Sequence, residues 1–196
     1  MRHAPEVEGR GERRRPASYY GVPPIHKPHW KWLIISYFFL GGLSGGSYVV
    51  ATVPELFGDR DDRDTVRVGR FVALLALIPC PILLILDLGR PERFYTMLRV
   101  VKLRSPMSLW TWGLLAFGGF AGLSAGAQAA RDGLLGLPRH APTRLVGAVG
   151  SALGLFLGGY TGVLLGAMAM PLWAKNARLL GPLFLSSALA GACAAI

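Results

Sequence analysis

A chain of 196 residues with 52 % hydrophobic side chains, 16 % charged ones and 26 glycines is too apolar for a water-soluble globule and reads as an integral membrane protein. Its formal charge of +10 lies between the apolar runs, with no aromatic residues interleaved on one basic face, which excludes a nucleic-acid-binding module. Cys80 and Cys193 each stand alone in an apolar segment, so neither belongs to a metal-ligand spacing and both read as packing residues.

Hydropathy predicts an all-α integral membrane bundle of four full transmembrane helices and a partial fifth, in a domain covering residues 30–196. Residues 1–29 form a polar arm, expected to be flexible. Its Arg13-Arg14-Arg15-Pro16 stands too far ahead of the first apolar run for an ordinary signal peptide. The first span, about 32–57, opens on Trp30, Lys31 and Trp32, side chains suited to the headgroup layer, and a solvated loop follows from Gly58 to Asp64.

The second span, about 69–88, holds Pro79-Cys80-Pro81, where missing backbone donors predict a kink. It empties into Asp87-Leu88-Gly89-Arg90-Pro91-Glu92-Arg93-Phe94, where Asp87 and Arg90 can pair at the edge of the hydrocarbon and Gly89 and Pro91 stop the helix. The basic linker runs on to Ser105, and its stretch 93–101 is expected to lie on the surface as a short amphipathic helix. Span three covers about 106–130, span four about 144–172 and the fifth about 179–196. The fifth is still apolar at Ile196, from which a C-terminally truncated copy is expected.

Glycine recurs every fourth residue in span four, from Gly150 to Gly166, and similar spacing appears at Gly41/Gly45 and Gly42/Gly46 in span one and at Gly118, Gly122 and Gly126 in span three. Such faces let backbones approach closely, so these three helices are expected to contact one another.

Haem ligation needs histidines inside the helices, and His3, His26, His29 and His140 all fall in the arm or a loop. The polar groups left in or beside the membrane are Tyr37, Tyr48, Glu55, Asp87, Gln128 and Tyr160. Antiparallel spans put Tyr37 and Asp87 at one membrane face and Glu55 at the other. Tyr160, roughly 18 Å from the Leu172 end of its span, is expected to reach toward the midplane. A phenol donating to a quinone carbonyl beside a proton-accepting carboxylate suits a quinol head.

Trp30-Lys31-Trp32, Phe38 to Gly46, Asp87 to Phe94, Ser105-Pro106-Met107-Ser108 and Tyr160-Thr161-Gly162-Val163-Leu164-Leu165 together resemble the NrfD-like, polysulfide reductase membrane-subunit family over about residues 19–182. The resemblance implies a subunit without haem or iron–sulfur cluster that binds menaquinone or ubiquinone. Electrons would pass to a ferredoxin-like iron–sulfur subunit serving a catalytic molybdopterin or multihaem oxidoreductase. By position it carries the quinone site to Tyr160 and Asp87, with Arg90 beside them and Tyr37 on helix one, where some relatives have a histidine and an amide. The linker's Arg93, Arg99, Lys102 and Arg104 are expected to meet an acidic partner surface.

Family members usually have eight or more spans. Positive-inside counting, with 14 of 21 Lys and Arg on the face of the N-terminal arm, puts that arm in the cytoplasm and the chain in the cell membrane. The competing reading is a purely structural anchor for a soluble oxidoreductase. A transporter would show an inverted internal repeat, and none is visible in the sequence.

Overall fold

The computed structural model describes residues 32–58, 62–87, 94–99, 105–133, 143–167 and 171–196. Among them the chain is a helix bundle with no strand: α1 (Trp32–Phe57), α2 (Arg63–Leu77), α3 (Pro79–Asp87), α4 (Phe94–Arg99), α5 (Pro106–Arg131), α6 (Thr143–Gly166), α7 (Pro171–Lys175) and α8 (Ala177–Ala195). The N-terminal arm, Trp30, Lys31 and all four histidines lie outside the described residues.

Four helices are long and apolar enough to cross a membrane: α1, the α2–α3 pair, α6 and α8. Helix α5 has 26 residues, about 39 Å of rise, but Ser, Thr, Gly and Gln dilute its apolar content. It begins with Pro106 at its first turn, where a missing N–H costs nothing, and ends before Gly133, whose φ of 77° suits a residue without Cβ.

The second span breaks where its prolines predict. Ile78 is a turn between α2 and α3, because Pro79 cannot donate into the helix ladder. Span four ends earlier than its apolar run suggests: α6 stops at Gly166, and Pro171 starts a separate short helix.

Helix α1 packs along α2 and α6, α8 covers α1 and α6, and α5 lies against α2 and α6. The α1–α6 contact is backbone to backbone: a Cβ on Gly45 would stand 2.6 Å from the Gly154 carbonyl oxygen. Gly46 and Gly162 similarly meet the backbone of α8, at Ala188 and Leu180. The expected three-way contact is therefore corrected in part: α6 meets both α1 and α5, but glycines do not bring α1 and α5 together. Of the glycines spaced along span three, Gly122 and Gly126 take no part, since a Cβ there would meet nothing within 4 Å, and one on Gly118 would meet only the Leu77 side chain at 3.7 Å; it is Gly113 that closes on α6, where a Cβ would stand 2.7 Å from the Phe156 ring. Buried Trp110 and Phe117 fill the space between α5 and α1 instead, and α8 is the third partner. Cys80 is buried as expected, whereas Cys193 is exposed, which corrects its reading as a packing residue.

This packing makes a sharp contrast testable. Gly45→Ala drives a methyl into backbone that has no side chain to move aside, with an expected loss of about 1–3 kcal/mol. Gly122→Ala enters open space and should be neutral or slightly stabilising through helix propensity. Thermal unfolding of the two variants in detergent checks both.

Candidate functional site

At the end of the bundle where α1 begins, four helices bring aromatic and acidic groups together. Tyr37 on α1 is buried, its ring 6.1 Å from Trp110 on α5 at an interplanar angle of 62° and 4.5 Å from Phe38. Tyr160 on α6 stacks on Trp110 at 6.0 Å and 15°, and on Phe156, one turn earlier on its own helix, at 4.7 Å. Trp110 thus sits between two phenols. It is 1 % exposed, and its indole N–H has no hydrogen-bond partner among the described residues.

The Tyr160 hydroxyl donates to the Pro106 carbonyl at 3.3 Å, a long bond. Asp87, at the C-terminal end of α3, is half-buried and within electrostatic reach of the Tyr37 hydroxyl, as is the Cys80 thiol. An apolar groove of about 520 Å³ runs between α2–α3 and α5, lined by Leu77, Pro81, Leu84, Leu114, Gly118 and Phe94 of α4; none of Tyr37, Trp110, Tyr160 and Asp87 lines it.

Three of the four residues assigned to a quinone site therefore lie at one end of the bundle. Arg90 lies outside the described residues, so its pairing with Asp87 does too. The depth expected of Tyr160 is corrected: because α6 ends at Gly166, Tyr160 is about 9 Å from the helix end and bonds to the first turn of α5, close to the membrane face. Of the expected docking residues, Arg99 ends α4 and is exposed, while Arg93, Lys102 and Arg104 lie outside the described residues.

Two features escape the sequence reading. Trp110 looks like one more interfacial tryptophan after the basic linker, and only the fold makes it the centre of the cluster. The second is a charged network at the opposite face. Arg70, next to the first loop in sequence, is 3 % exposed within α2; its guanidinium pairs with Glu55 of α1 and lies 4.0 Å from the centroid of the Tyr48 ring. Arg131 of α5 stands 3.5 Å from the other Glu55 oxygen. Tyr48 hydrogen-bonds Ser124 at 2.6 Å and donates to the Val146 carbonyl at 3.1 Å. Gly147 and Gly150 of α6 leave the room: a Cβ on the first would stand 2.9 Å from the Arg70 guanidinium, and one on the second would collide with the Tyr48 ring. A polar cavity of about 820 Å³ opens beside Glu55, rimmed by the Arg67–Asp132 ion pair at 2.9 Å, Asp62 and Gln128.

The chain is 30 % identical over 86 residues to a Halobacterium salinarum protein named as a membrane subunit of dimethyl sulfoxide reductase, a stretch covering 44 % of this chain and 20 % of that one. It is 30 % identical over 83 residues to a subunit of the Mesobacillus selenatarsenatis selenate reductase, covering 42 % and 19 %. With one polypeptide of the Wolinella succinogenes polysulfide reductase it shares 31 % over 91 residues, covering 45 % and 29 %. Each match spans less than a third of the relative's own length. The family model described as polysulphide reductase, NrfD, matches residues 24–196, a range that contains every described helix. The chain belongs to the polysulphide reductase NrfD family.

Proposed function

We propose that this chain is the membrane subunit of a quinone-linked oxidoreductase complex, binding menaquinone or ubiquinone in the Tyr37–Trp110–Tyr160 cluster and exchanging electrons with an iron–sulfur partner subunit. The observation that carries the reading is the buried, unpartnered indole N–H of Trp110 between two phenols. A buried donor left unpaired costs about 1–3 kcal/mol, a deficit that a ligand carbonyl would remove. Flat aromatic walls and one further hydroxyl donor suit a quinone ring, and the apolar groove between α2–α3 and α5 suits an isoprenoid tail.

A bound quinone supplies carriage of two electrons and two protons. The protein's part is to hold and orient it. Tyr160, whose bond to Pro106 is long and readily exchanged, turns its hydroxyl toward a carbonyl, and Trp110 donates to the same ring. Asp87, half-buried at the end of α3 on the same face of the bundle, takes or gives a proton in this reading. Arg99, together with Arg93, Lys102 and Arg104 of the same linker, meets the acidic surface of the iron–sulfur subunit, which hands electrons to a catalytic subunit. Basic residues concentrate on this face, so the N-terminus is assigned to the cytoplasm and the chain to the cell membrane.

Quinone extraction from the purified protein tests the reading, and about one quinone per chain is expected. Tyr160→Phe, which keeps both ring stacks and loses one hydroxyl, should lower retention by about five- to tenfold, the worth of one hydrogen bond. Unchanged retention removes Tyr160 from the site. A quinone-free protein that still holds its partner subunits would make the chain an anchor.

A further inference from the structure

The polar cavity at the face opposite the aromatic cluster is left unused by quinone binding. It lies where α1 ends, α2 begins and α5 ends, and its volume of about 820 Å³ falls within the roughly 300–1,000 Å³ of small-molecule sites. Tyr37 and Glu55 are separated by about 27 Å of helix rise, close to the hydrocarbon thickness of roughly 30 Å. With Tyr37 near one membrane face, the cavity stands at the headgroup level of the other. Just inside it the surface is apolar, with Val53 of α1 and Val68 and Leu75 of α2 all exposed.

Part of the cavity's charge is engaged within the protein. Glu55 is held between Arg70 and Arg131, and Asp132 accepts from the Gln128 amide at 3.1 Å and pairs with Arg67 at 2.9 Å. The closest contact of Arg67 is made by its Nε, so Gln128 and Asp132 orient the guanidinium while its two terminal nitrogens are left to meet a further partner. Arg63 stands one turn earlier on the same side of α2, lines the same cavity, and makes no ion pair or hydrogen bond among the described residues. Two guanidiniums one turn apart, one of them held in place, match the oxygens of a phosphodiester.

The acids supply the other half of the site. Asp62 and Asp64 line the cavity from the N-cap and first turn of α2, and Asp64 has no ion pair or hydrogen bond among the described residues. With Arg70 counted behind Glu55, guanidiniums and carboxylates balance around the cavity. A balanced site has no pull on a net anion or a net cation. It suits a head that carries both charges a few bonds apart.

We propose that this cavity holds the headgroup of a zwitterionic phospholipid of the ethanolamine type, its phosphate on Arg63 and Arg67 and its primary ammonium on Asp64 and Asp62. The acyl chains run down the bundle over Val68 and Leu75. A choline head carries the same two charges but has no N–H to donate to a carboxylate, and a glycerol head has no cation, so each satisfies only half of the site. Inorganic phosphate shares the anion chemistry and lacks both the ammonium and the chains.

The test is native mass spectrometry of the purified protein in detergent, titrated with phosphatidylethanolamine, phosphatidylcholine and phosphatidylglycerol of identical acyl chains. Wild type should bind one phosphatidylethanolamine about tenfold more tightly than either of the others, the worth of one charge-assisted hydrogen bond. Arg63→Gln should weaken that binding by about tenfold, and Asp64→Asn should bring it down to the level of phosphatidylcholine. Arg67→Gln also breaks the contact with Asp132 that ties α2 to α5, so the two exposed positions, Arg63 and Asp64, decide. Equal binding of the three lipids by wild type, or a preference for ethanolamine that survives both substitutions, overturns the proposal. Displacement of the lipid by millimolar inorganic phosphate overturns it too, because the cavity is then a site for a soluble anion. The outcome does not depend on whether the chain holds quinone.

Discussion

Arg70→Ala is expected to destabilise the bundle by about 3 kcal/mol, because it strips a partner from a carboxylate that the fold has already removed from water. Arg70 is 3 % exposed, and the Glu55 side chain it pairs with is 9 % exposed. The substitution also removes the guanidinium from the face of Tyr48, a stacking contact worth about 0.5–2 kcal/mol. Arg131 remains 3.5 Å from Glu55 and limits the loss. The unsatisfied second nitrogen of Arg70 means the pair is costly to build as well as to break. Glu55→Ala combined with Arg70→Ala should therefore recover part of the stability, since no orphan charge is left. Thermal unfolding of the single and double variants in detergent measures both. A single variant as stable as wild type would show that water reaches the pair and that the network does not tie α1, α2 and α5 together.

That network shows where a single sequence stops being readable. Hydropathy places an arginine at the edge of an apolar run in the loop, and Arg70 directly follows Gly69, where the apolar run of the second span begins. Its burial depends on Glu55 and Tyr48 from α1 and on a gap at Gly147 of α6, contacts far apart in the chain. The Pro79 break is legible because its cause is local, a missing N–H. The glycine faces are half legible. Spacing identifies a face free of side chains, and Gly45 against Gly154 uses it, but spacing cannot say which backbone will come to fill it. On α5 the bulky Trp110 and Phe117, not the glycines, decide how closely α1 approaches.

The site divides the same way. Antiparallel counting is enough to put Tyr37 and Asp87 at one membrane face, because an up-and-down bundle fixes which ends meet. Tyr160 lies shallower than hydropathy suggests because the apolar run continues to Leu172 while the helix ends at Gly166. Those six residues move a side chain by about 9 Å, the difference between the midplane and the first turn of α5.

Packing and the proposed quinone binding both converge on Trp110, and two substitutions separate them. Trp110→Ala empties a site between Tyr37 and Tyr160 that is 1 % exposed, with an expected loss of about 3–5 kcal/mol as for other buried large aromatics. It should also abolish quinone retention, since both phenols lose the ring that sets their distance. Trp110→Phe keeps an aromatic ring against both tyrosines and deletes the unpartnered N–H. If that N–H only fills space, the protein should be as stable as wild type or slightly more so, because a buried unsatisfied donor is gone, and quinone retention should be unchanged. If it holds a carbonyl, retention should fall by about tenfold while thermal stability of the quinone-free protein stays level or rises. Opposite movement of affinity and stability in one variant is the mark of a donor kept for a ligand, because a residue kept for packing alone moves stability and leaves retention to follow it.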